Sequence, residues 1–228
     1  MLESQRSSIR NNNNYYNKIM EPKKKKQRTL GAMFGHKPST LPKKTFRGVP
    51  LTGVGMDFWY ARESVLIRRM PNCNYNSPKV ASFDFDSCLV DDTTWQWNAN
   101  KPLPIRPGVI EKLRTLHQEN YRLVIFTNEK TISMRKEKKS IENAINKKIS
   151  RLNEFVRTLG CPMEMFVATG GDGDEYRKGS TPGMWNLLSE DCTKYGDSTC
   201  IKNDVPPNVS ESFFVGDAAG RAADHSNT

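Results

Sequence analysis

The amino-acid sequence predicts an α/β fold in which a parallel sheet is covered by helices on both faces. Four short apolar runs carry this prediction, at residues 79–86, 123–126, 163–168 and 212–215. The segments between them repeat apolar residues at helical spacing. Continuous apolar strands are typical of parallel sheets buried on both faces, and their alternation with helices is typical of α/β domains.

Residues 1–47 form a basic tail that we predict to be disordered. They carry twelve Lys or Arg and two Asp or Glu, so the whole formal charge of +10 belongs to this segment and the rest of the chain is neutral. A polar segment without apolar periodicity cannot bury enough apolar surface to fold. Any attraction of the remaining chain to polyanions must therefore come from local patches.

Two short motifs lie in this tail. The first is a run of cations typical of nuclear import or of a nucleic-acid-binding arm. It comprises Lys23, Lys24, Lys25, Lys26 and Arg28. The second resembles the peptide that docks on the replication sliding clamp, with its apolar side chains on one face of a short helical turn. Its residues are Gln27, Leu30, Met33 and Phe34. A solvated tail and a chance match are the alternatives left open.

Residues 48–78 are expected to form a linker followed by an ordered segment at the edge of the core. Proline and glycine are frequent near residue 48, as in loops. Aromatic and aliphatic side chains then cluster over residues 56–69, before a turn at residues 71–74. The main domain is expected to span residues 79–228.

Three helices are predicted between the strands of this domain. The first begins near Pro107 and repeats apolar residues as far as Leu116. The second is a longer amphipathic helix that starts by Ile141 and ends at Gly160. The third begins at Met184.

The cysteines and the hydropathy pattern indicate where the protein works. Five cysteines are scattered without a Cys-x-x-Cys pair, which disfavours a disulfide framework or a zinc site and favours a reducing compartment. No apolar run is long enough to span a membrane. We therefore expect an intracellular monomer that binds no membrane, with the basic run directing it to the nucleus.

Polar side chains follow the predicted strands where ligands bind in open α/β sheets. In chain order they are Asp84, Asp86, Thr127, Asn128, Arg177, Lys178 and Asp217. Carboxylates are ligands that Mg²⁺ prefers, and a carboxylate can also attack phosphorus. Lysine and hydroxyl groups stabilise phosphoryl oxygens. This set of residue types is suited to phosphoryl transfer.

In this order the motifs resemble those of the haloacid dehalogenase (HAD) superfamily of phosphatases, and more narrowly those of polynucleotide 3′-phosphatases. The resemblance rests on residues 124–128, 176–178, 183–185 and 214–221, and it covers residues 79–228. It implies a Rossmann-like HAD fold. It also implies a Mg²⁺-dependent enzyme that removes 3′-phosphates from DNA ends during strand-break repair.

The resemblance implies a role for each motif residue. Asp84 would be the nucleophile that forms an aspartyl-phosphate, and Asp86 would be the general acid and base. Thr127 and Lys178 would hold the phosphoryl group. Asp84, the backbone carbonyl of Asp86 and Asp217 would bind Mg²⁺.

The sequence departs from the family pattern at several positions. Ser87 and Cys88 stand where the family has Gly and Thr, so we expect a strained turn and a weaker hydrogen bond. Glu129 replaces a usual Gln, and the loop after Lys178 is one residue longer. The chain stops at Thr228, so the C-terminal part of the family fold is expected to be truncated. Each departure leaves the turnover rate open.

One basic segment, residues 130–151, has a local charge of +6 within the neutral domain. Because it follows the strand that ends at Thr127, it begins at the edge of the predicted site. We predict that it guides a DNA strand through phosphate contacts. The predicted substrate contacts are Arg135, Lys136, Lys138, Lys139, Asn128 and Arg177. An ordinary solvated helix face is the alternative.

Two other functions remain open. One is a catalytically weak adaptor that binds DNA ends or the sliding clamp. The other is a phosphatase of small phosphate esters, against which the basic segment and the last motif argue. The chain contains no Gly-x-x-x-x-Gly-Lys-Ser/Thr sequence, so 5′-kinase activity is not expected.

Overall fold

The folded region that the computed structural model describes is interrupted by several gaps. It comprises residues 43–53, 55–69, 76–94, 96–98, 101–178, 181–189 and 205–217. The nuclear-import and clamp-binding motifs of the tail lie outside these residues. Residues 43–47, the last five of the predicted tail, are described, and the Phe46 side chain is 4% exposed. The folded region therefore begins before residue 48.

Within the described ranges, eight strands form two sheets. A small sheet pairs β1 (Thr45–Phe46) with β2 (Val49–Pro50) in antiparallel orientation. The main sheet contains β3 (Trp59–Arg62), β4 (Val65–Arg68), β5 (Val80–Phe83), β6 (Arg122–Asn128), β7 (Glu164–Ala168) and β8 (Phe213–Val215). Its spatial order is β3-β4-β7-β6-β5-β8.

The main sheet is mixed. Strands β7, β6, β5 and β8 are parallel, as the sequence predicts, and they coincide with the four apolar runs. The hairpin β3–β4 extends the sheet beyond β7 in antiparallel orientation. These residues were expected only to pack at the core edge, and they do so by strand pairing. The tight turn between them places Glu63 at a φ of 51°, in the left-handed region.

Three α-helices in the described part of the chain cover both faces of the sheet, which confirms the predicted layers. They are α1 (Val109–Gln118), α2 (Lys138–Leu159) and α3 (Gly183–Ser189). One apolar cluster packs α1 and α2 against Leu123 and Ile125 of β6. A second packs α3 against Val124 and Phe126. Alternate residues of a strand face opposite sides of a sheet, so β6 contributes to both clusters.

The order of the strands places a crevice beside β5. From β5 the chain moves to β6 and β7 on one side, and it then returns to β8 on the other side. Ligands in open α/β sheets bind beyond the carboxyl ends of the strands at such a reversal. The residues that directly follow β5 and β8 therefore occupy the position of a binding site.

The predictions about cysteines and membrane spans can also be compared with the structure. Cys88 and Cys161, the cysteines within the described ranges, are free thiols. Among those same residues, no helix is both long enough and apolar enough to cross a bilayer.

Candidate active site

The structure brings the predicted acidic and lysine side chains together at the carboxyl edge of the sheet. The backbone N–H of Asp84 donates to the Val215 carbonyl at 2.8 Å, which holds the end of β5 beside the end of β8. The Lys178 ammonium reaches the same point from the loop after β7 and pairs with Asp84 Oδ2. Three separate segments of the chain thus converge on one carboxylate.

Asp84 is buried, with 8% of the residue exposed. Its Oδ1 accepts a hydrogen bond from the Phe85 N–H at 2.7 Å. Burial raises the pKa of Asp84, and the charge of Asp217 adds to that effect, whereas Lys178 opposes both. The ionised form that a nucleophile requires therefore depends on nearby positive charge.

Asn128 fixes the segment that carries Lys178. Its side-chain Nδ2 donates to the Lys178 carbonyl at 3.1 Å, and its Oδ1 accepts from the Lys178 N–H at 2.9 Å. This two-point contact joins the end of β6 to the loop after β7. A residue predicted to contact substrate thus also positions the lysine of the site.

The Asp86 carboxylate faces the helix α2 and pairs with Lys148 and Arg151. Burial alone would raise its pKa, but the charges and hydrogen bonds of the two cations outweigh burial and hold the pKa of Asp86 below its usual value. Arg151 also pairs with Asp92. The carboxylate is therefore held ionised at neutral pH.

Sequence reasoning missed Lys148 and Arg151 as site residues. Both were counted only in the charge of the basic segment, yet neither is exposed to solvent at all. A signal was present in the sequence. Lys148 falls in the apolar register of α2, three residues after Ile145 and four before Leu152. A lysine in that register needs a buried acidic partner.

Thr127 and Asp217 complete the predicted set. Thr127 is 1% exposed, and its Oγ1 accepts a hydrogen bond from Lys148 at 3.3 Å. Asp217 follows Gly216, where an added Cβ would lie 2.8 Å from the Phe214 ring. That glycine lets the chain turn closely past the ring, so that Asp217 can influence Asp84.

Hard oxygen ligands are available here for a divalent cation. Asp84 and Asp217 are carboxylates close enough for their charges to interact. Within the part of the chain that is described, no cluster of three or more His, Cys, Asp or Glu side chains is arranged as a metal site. Two carboxylates, a backbone carbonyl of Asp86 and water would still suit Mg²⁺, which commonly keeps several waters. The residue types therefore fit the ion.

The turn after Asp86 shows the strain expected from its sequence. Ser87 has a φ of 58°, in the left-handed region that favours glycine. The Cys88 thiol donates to the Val215 carbonyl at 3.6 Å. Burial, followed by the charge of Asp84, raises the pKa of Cys88 to about 11. The thiol is therefore neutral at pH 7 and serves only as a weak donor.

We expect Ser87→Gly to stabilise the protein. Releasing a left-handed non-glycine residue gains more than glycine loses in backbone entropy, a net of about 0.5–1 kcal/mol. Urea unfolding would measure the change. Asn120→Gly is the matched control, because Asn120 also has a positive φ of 68° but asparagine tolerates it well. An equal gain in both variants, or none in Ser87→Gly, would contradict strain at Ser87.

A cavity of about 420 Å³ opens beside Asp86 and Asn128. Four cationic side chains line it, namely Lys130, Arg135, Lys147 and Arg177. Of the five cations predicted to contact substrate, Arg135 and Arg177 are among the lining residues. Lys136, Lys138 and Lys139 are exposed on the approach to α2 and its first turn, where Lys139 pairs with Glu142 at 3.6 Å. Part of the positive charge of the basic segment thus lies in the cavity, and part lies on the exposed surface before α2 and in its first turn.

Comparisons with known proteins found a matching family model and several relatives. A model of the family described as polynucleotide kinase 3 phosphatase matches residues 79–228. The chain is 36% identical over 177 residues to the polynucleotide 3′-phosphatase ZDP of Arabidopsis thaliana, covering 74% of this chain and 24% of that protein. It is 31% identical over 180 residues to the bifunctional polynucleotide phosphatase/kinase of Schizosaccharomyces pombe, covering 75% and 37%.

A viral relative matches over a larger share of its own length. This uncharacterised 20.8 kDa protein of Autographa californica nuclear polyhedrosis virus is 30% identical over 148 residues, covering 63% of this chain and 68% of that protein. By contrast, the chain spans only 24% of the length of the plant relative and 37% of the length of the yeast relative.

Proposed function

Because the chain belongs to the polynucleotide kinase 3 phosphatase family, we propose that it is a Mg²⁺-dependent polynucleotide 3′-phosphatase that acts on DNA ends during strand-break repair. The observation that carries this proposal is the convergence of Asp84, Lys178 and Asp217 at the end of β5. A buried carboxylate with an ammonium beside it is suited to attack an anionic phosphate.

The proposed mechanism has two steps. An Asp84 carboxylate oxygen attacks phosphorus, and the bond to the 3′ oxygen breaks as that oxygen takes a proton from Asp86. Asp86, now a carboxylate, then removes a proton from water, which attacks the aspartyl-phosphate and releases inorganic phosphate and free Asp84. Lys178 and Thr127 stabilise the phosphoryl oxygens. When bound, Mg²⁺ would reduce the repulsion between the Asp84 carboxylate and the substrate phosphate.

The ionised state of Asp86 suits the second step, in which water attacks the aspartyl-phosphate. A carboxylate whose pKa lies below its usual value is ionised at neutral pH, as a general base must be before it accepts a proton. The first step draws on the minor protonated form, or on the proton gained in the preceding turnover.

The cationic cavity supports a polynucleotide rather than a small ester as substrate. It lies directly beside Asp86, where the nucleotide that carries the 3′-phosphate would extend. Lys147 also lines a second, more open cavity together with Trp97 and Asn146. A cation and an aromatic ring thus lie side by side next to the first cavity, and grooves that bind single strands combine these two residue types.

We expect the cavity cations, rather than the cations on the approach to α2, to set the salt dependence of binding. The triple variant Lys130→Ala, Arg135→Ala, Lys147→Ala should flatten the slope of log affinity against log salt by about 2 for a single strand, since each phosphate contact contributes about 0.7. The matched triple variant of Lys136, Lys138 and Lys139 should change it much less. Equal slopes in the two variants would contradict a strand path through the cavity.

The direct test is phosphate release from a 3′-phosphorylated oligonucleotide, with Mg²⁺ and with a chelator. We expect release only with the ion, and none from the matching 5′-phosphorylated oligonucleotide. An adaptor is the second candidate, and the strained Ser87 turn favours it because that turn adjoins Asp86. Binding of DNA without turnover would select the adaptor.

For the basic tail we propose nuclear import and docking on the sliding clamp. The support is the cationic run at residues 23–28 and the adjoining clamp-type peptide at residues 27–34. Deleting residues 1–42 should abolish nuclear accumulation while leaving turnover of a short oligonucleotide unchanged. Loss of that turnover would instead place the tail in the catalytic site.

A further inference from the structure

Two cations of α2 lie beneath the turn that carries Asp84 and Asp86. Lys148 and Arg151 are each fully buried, although buried charges are unfavourable unless they are paired. Both pack on the Phe85 ring, with the Lys148 Nζ 5.5 Å and the Arg151 guanidinium 5.1 Å from its centroid. Neither can touch a substrate, so any influence on the reaction must pass through neighbouring side chains.

Each of the two cations donates to a different oxygen of the Asp86 carboxylate. Lys148 donates to Oδ2 and Arg151 donates to Oδ1. The Thr94 hydroxyl accepts from both, at 3.3 Å from Lys148 and 2.9 Å from Arg151. A carboxylate held at both oxygens cannot rotate freely, so its orientation is set by α2.

Lys148 also contacts the second strand of the site. It donates to Thr127 Oγ1 at 3.3 Å, which occupies a lone pair of that oxygen. The Thr127 hydrogen must then point elsewhere, because a hydroxyl carries one donor. One ammonium thus orients both the carboxylate after β5 and the hydroxyl of β6.

The same ammonium accounts for a departure from the family pattern. Glu129, where a glutamine is usual, lies 3.5 Å from Lys148 through Oε2 and is 6% exposed. An ionised partner compensates a buried ammonium better than an amide does. The Glu129 carboxylate therefore compensates the charge of Lys148, and its negative charge need not repel the substrate phosphate.

We propose that Lys148 is a positioning residue for the reaction, which orients Asp86 and Thr127 together, and that Glu129 is its second counter-charge beside Asp86. This inference rests on the proposed phosphatase function, and it assigns the role to a residue that substrate never contacts. It predicts that the loss of Lys148 lowers the rate of the bound complex rather than the affinity for substrate.

The first experiment compares adjacent lysines of α2 in the full chain. Lys148→Met should lower kcat on the order of 10²-fold, since small misplacements of catalytic groups have effects of that size. Its KM for an oligonucleotide should change little. Lys147→Met, in the cationic cavity, should instead raise KM more than it lowers kcat. A raised KM with an unchanged kcat in Lys148→Met would overturn the proposal.

The second experiment separates positioning from simple loss of stability. Lys148→Met leaves Glu129 without its ammonium, so its melting temperature should fall. The double variant Lys148→Met, Glu129→Gln should recover much of the melting temperature. Its kcat should stay low, because Asp86 and Thr127 still lack their shared donor. Recovery of kcat together with the melting temperature would reduce Lys148 to a structural residue.

Each variant is assayed on an oligonucleotide 3′-phosphate and on an aryl phosphate, because the role of Lys148 does not depend on the leaving group. Turnover of the aryl phosphate alone by the wild type would overturn the proposed polynucleotide function but would still test Lys148. Absence of turnover of both substrates by the wild type would overturn both proposals.

Discussion

Asp84→Asn is expected to abolish phosphate release. The amide is nearly the same size as the carboxylate, but it neither attacks phosphorus nor balances the charge of Lys178, with which Asp84 pairs. Removal of a covalent nucleophile should reduce kcat by at least ~10³-fold. Release of phosphate from a 3′-phosphorylated oligonucleotide measures this directly.

The same variant should not unfold. Burial raises the pKa of Asp84, which means that folding disfavours its charged form. The neutral amide avoids that penalty and can still accept the hydrogen bond from the Phe85 N–H. We therefore expect an unchanged or higher melting temperature, because the buried charge is removed while the hydrogen bond remains.

A suitable control lies a few residues away. Asp91 pairs with Arg106 at 2.7 Å in an ion pair whose side chains are about half exposed, outside the site. Asp91→Asn should retain turnover. Equal activity in Asp84→Asn and the wild type would refute the nucleophile, and a loss in both variants would point to a general effect of charge.

The parallel core of the sheet could be predicted because its sequence signal is local. Each of β5 to β8 contains a short apolar run, and polar residues at the end of β6 and just after β5 and β8 mark their carboxyl ends. Parallel strands share that edge, so Asp84, Thr127 and Asp217 had to lie near one another. Gly160, with a φ of 72°, ends α2 where the pattern placed it.

The antiparallel hairpin and the small sheet could not be predicted in the same way. β3 and β4 are four residues each, and their place beside β7 depends on contacts about a hundred residues away in sequence. β1 and β2 are two residues each, too short for any periodicity. Their assignment depends on tertiary packing, as for Phe46 in the core.

The buried cations were missed for a related reason. A count of charges treats Lys147 and Lys148 alike, although Lys148 is fully buried and Lys147 lines a cavity. The helical register separates them, and acidic partners distant in sequence, Glu129 and Asp86, explain why Lys148 is buried. A charge in an apolar register is a useful marker of such a site.

A second buried charge network lies at the opposite, amino edge of the sheet. Glu164 of β7 accepts from Arg122 of β6 at 2.8 Å, and its other oxygen lies 3.0 Å from Arg69 Nε. All three side chains are buried. Arg69 also donates to the Leu188 carbonyl of α3 at 3.0 Å, and Arg122 donates to the Val205 carbonyl at 3.4 Å. The network joins the sheet to segments on its α3 side.

Glu164→Gln is expected to have the largest effect on stability. It would remove the buried carboxylate charge that Arg69 and Arg122 both contact, and breaking a buried ion pair in this way typically costs about 3–5 kcal/mol. Since small domains are stable by only about 5–15 kcal/mol, urea unfolding should show a large loss. Glu142→Gln, which removes the more exposed pair with Lys139, should change stability by no more than about 0.5 kcal/mol.

The nature of the loss can be tested by removing the whole network. Replacing Glu164 with Leu together with Arg69→Met and Arg122→Met removes all three charges of this network, so most of the stability should return. Turnover by the folded fraction should match the wild type, because the network lies at the edge opposite Asp84. If the triple variant is as unstable as Glu164→Gln, the arginine contacts to Leu188 and Val205, rather than an unpaired charge, hold these segments together.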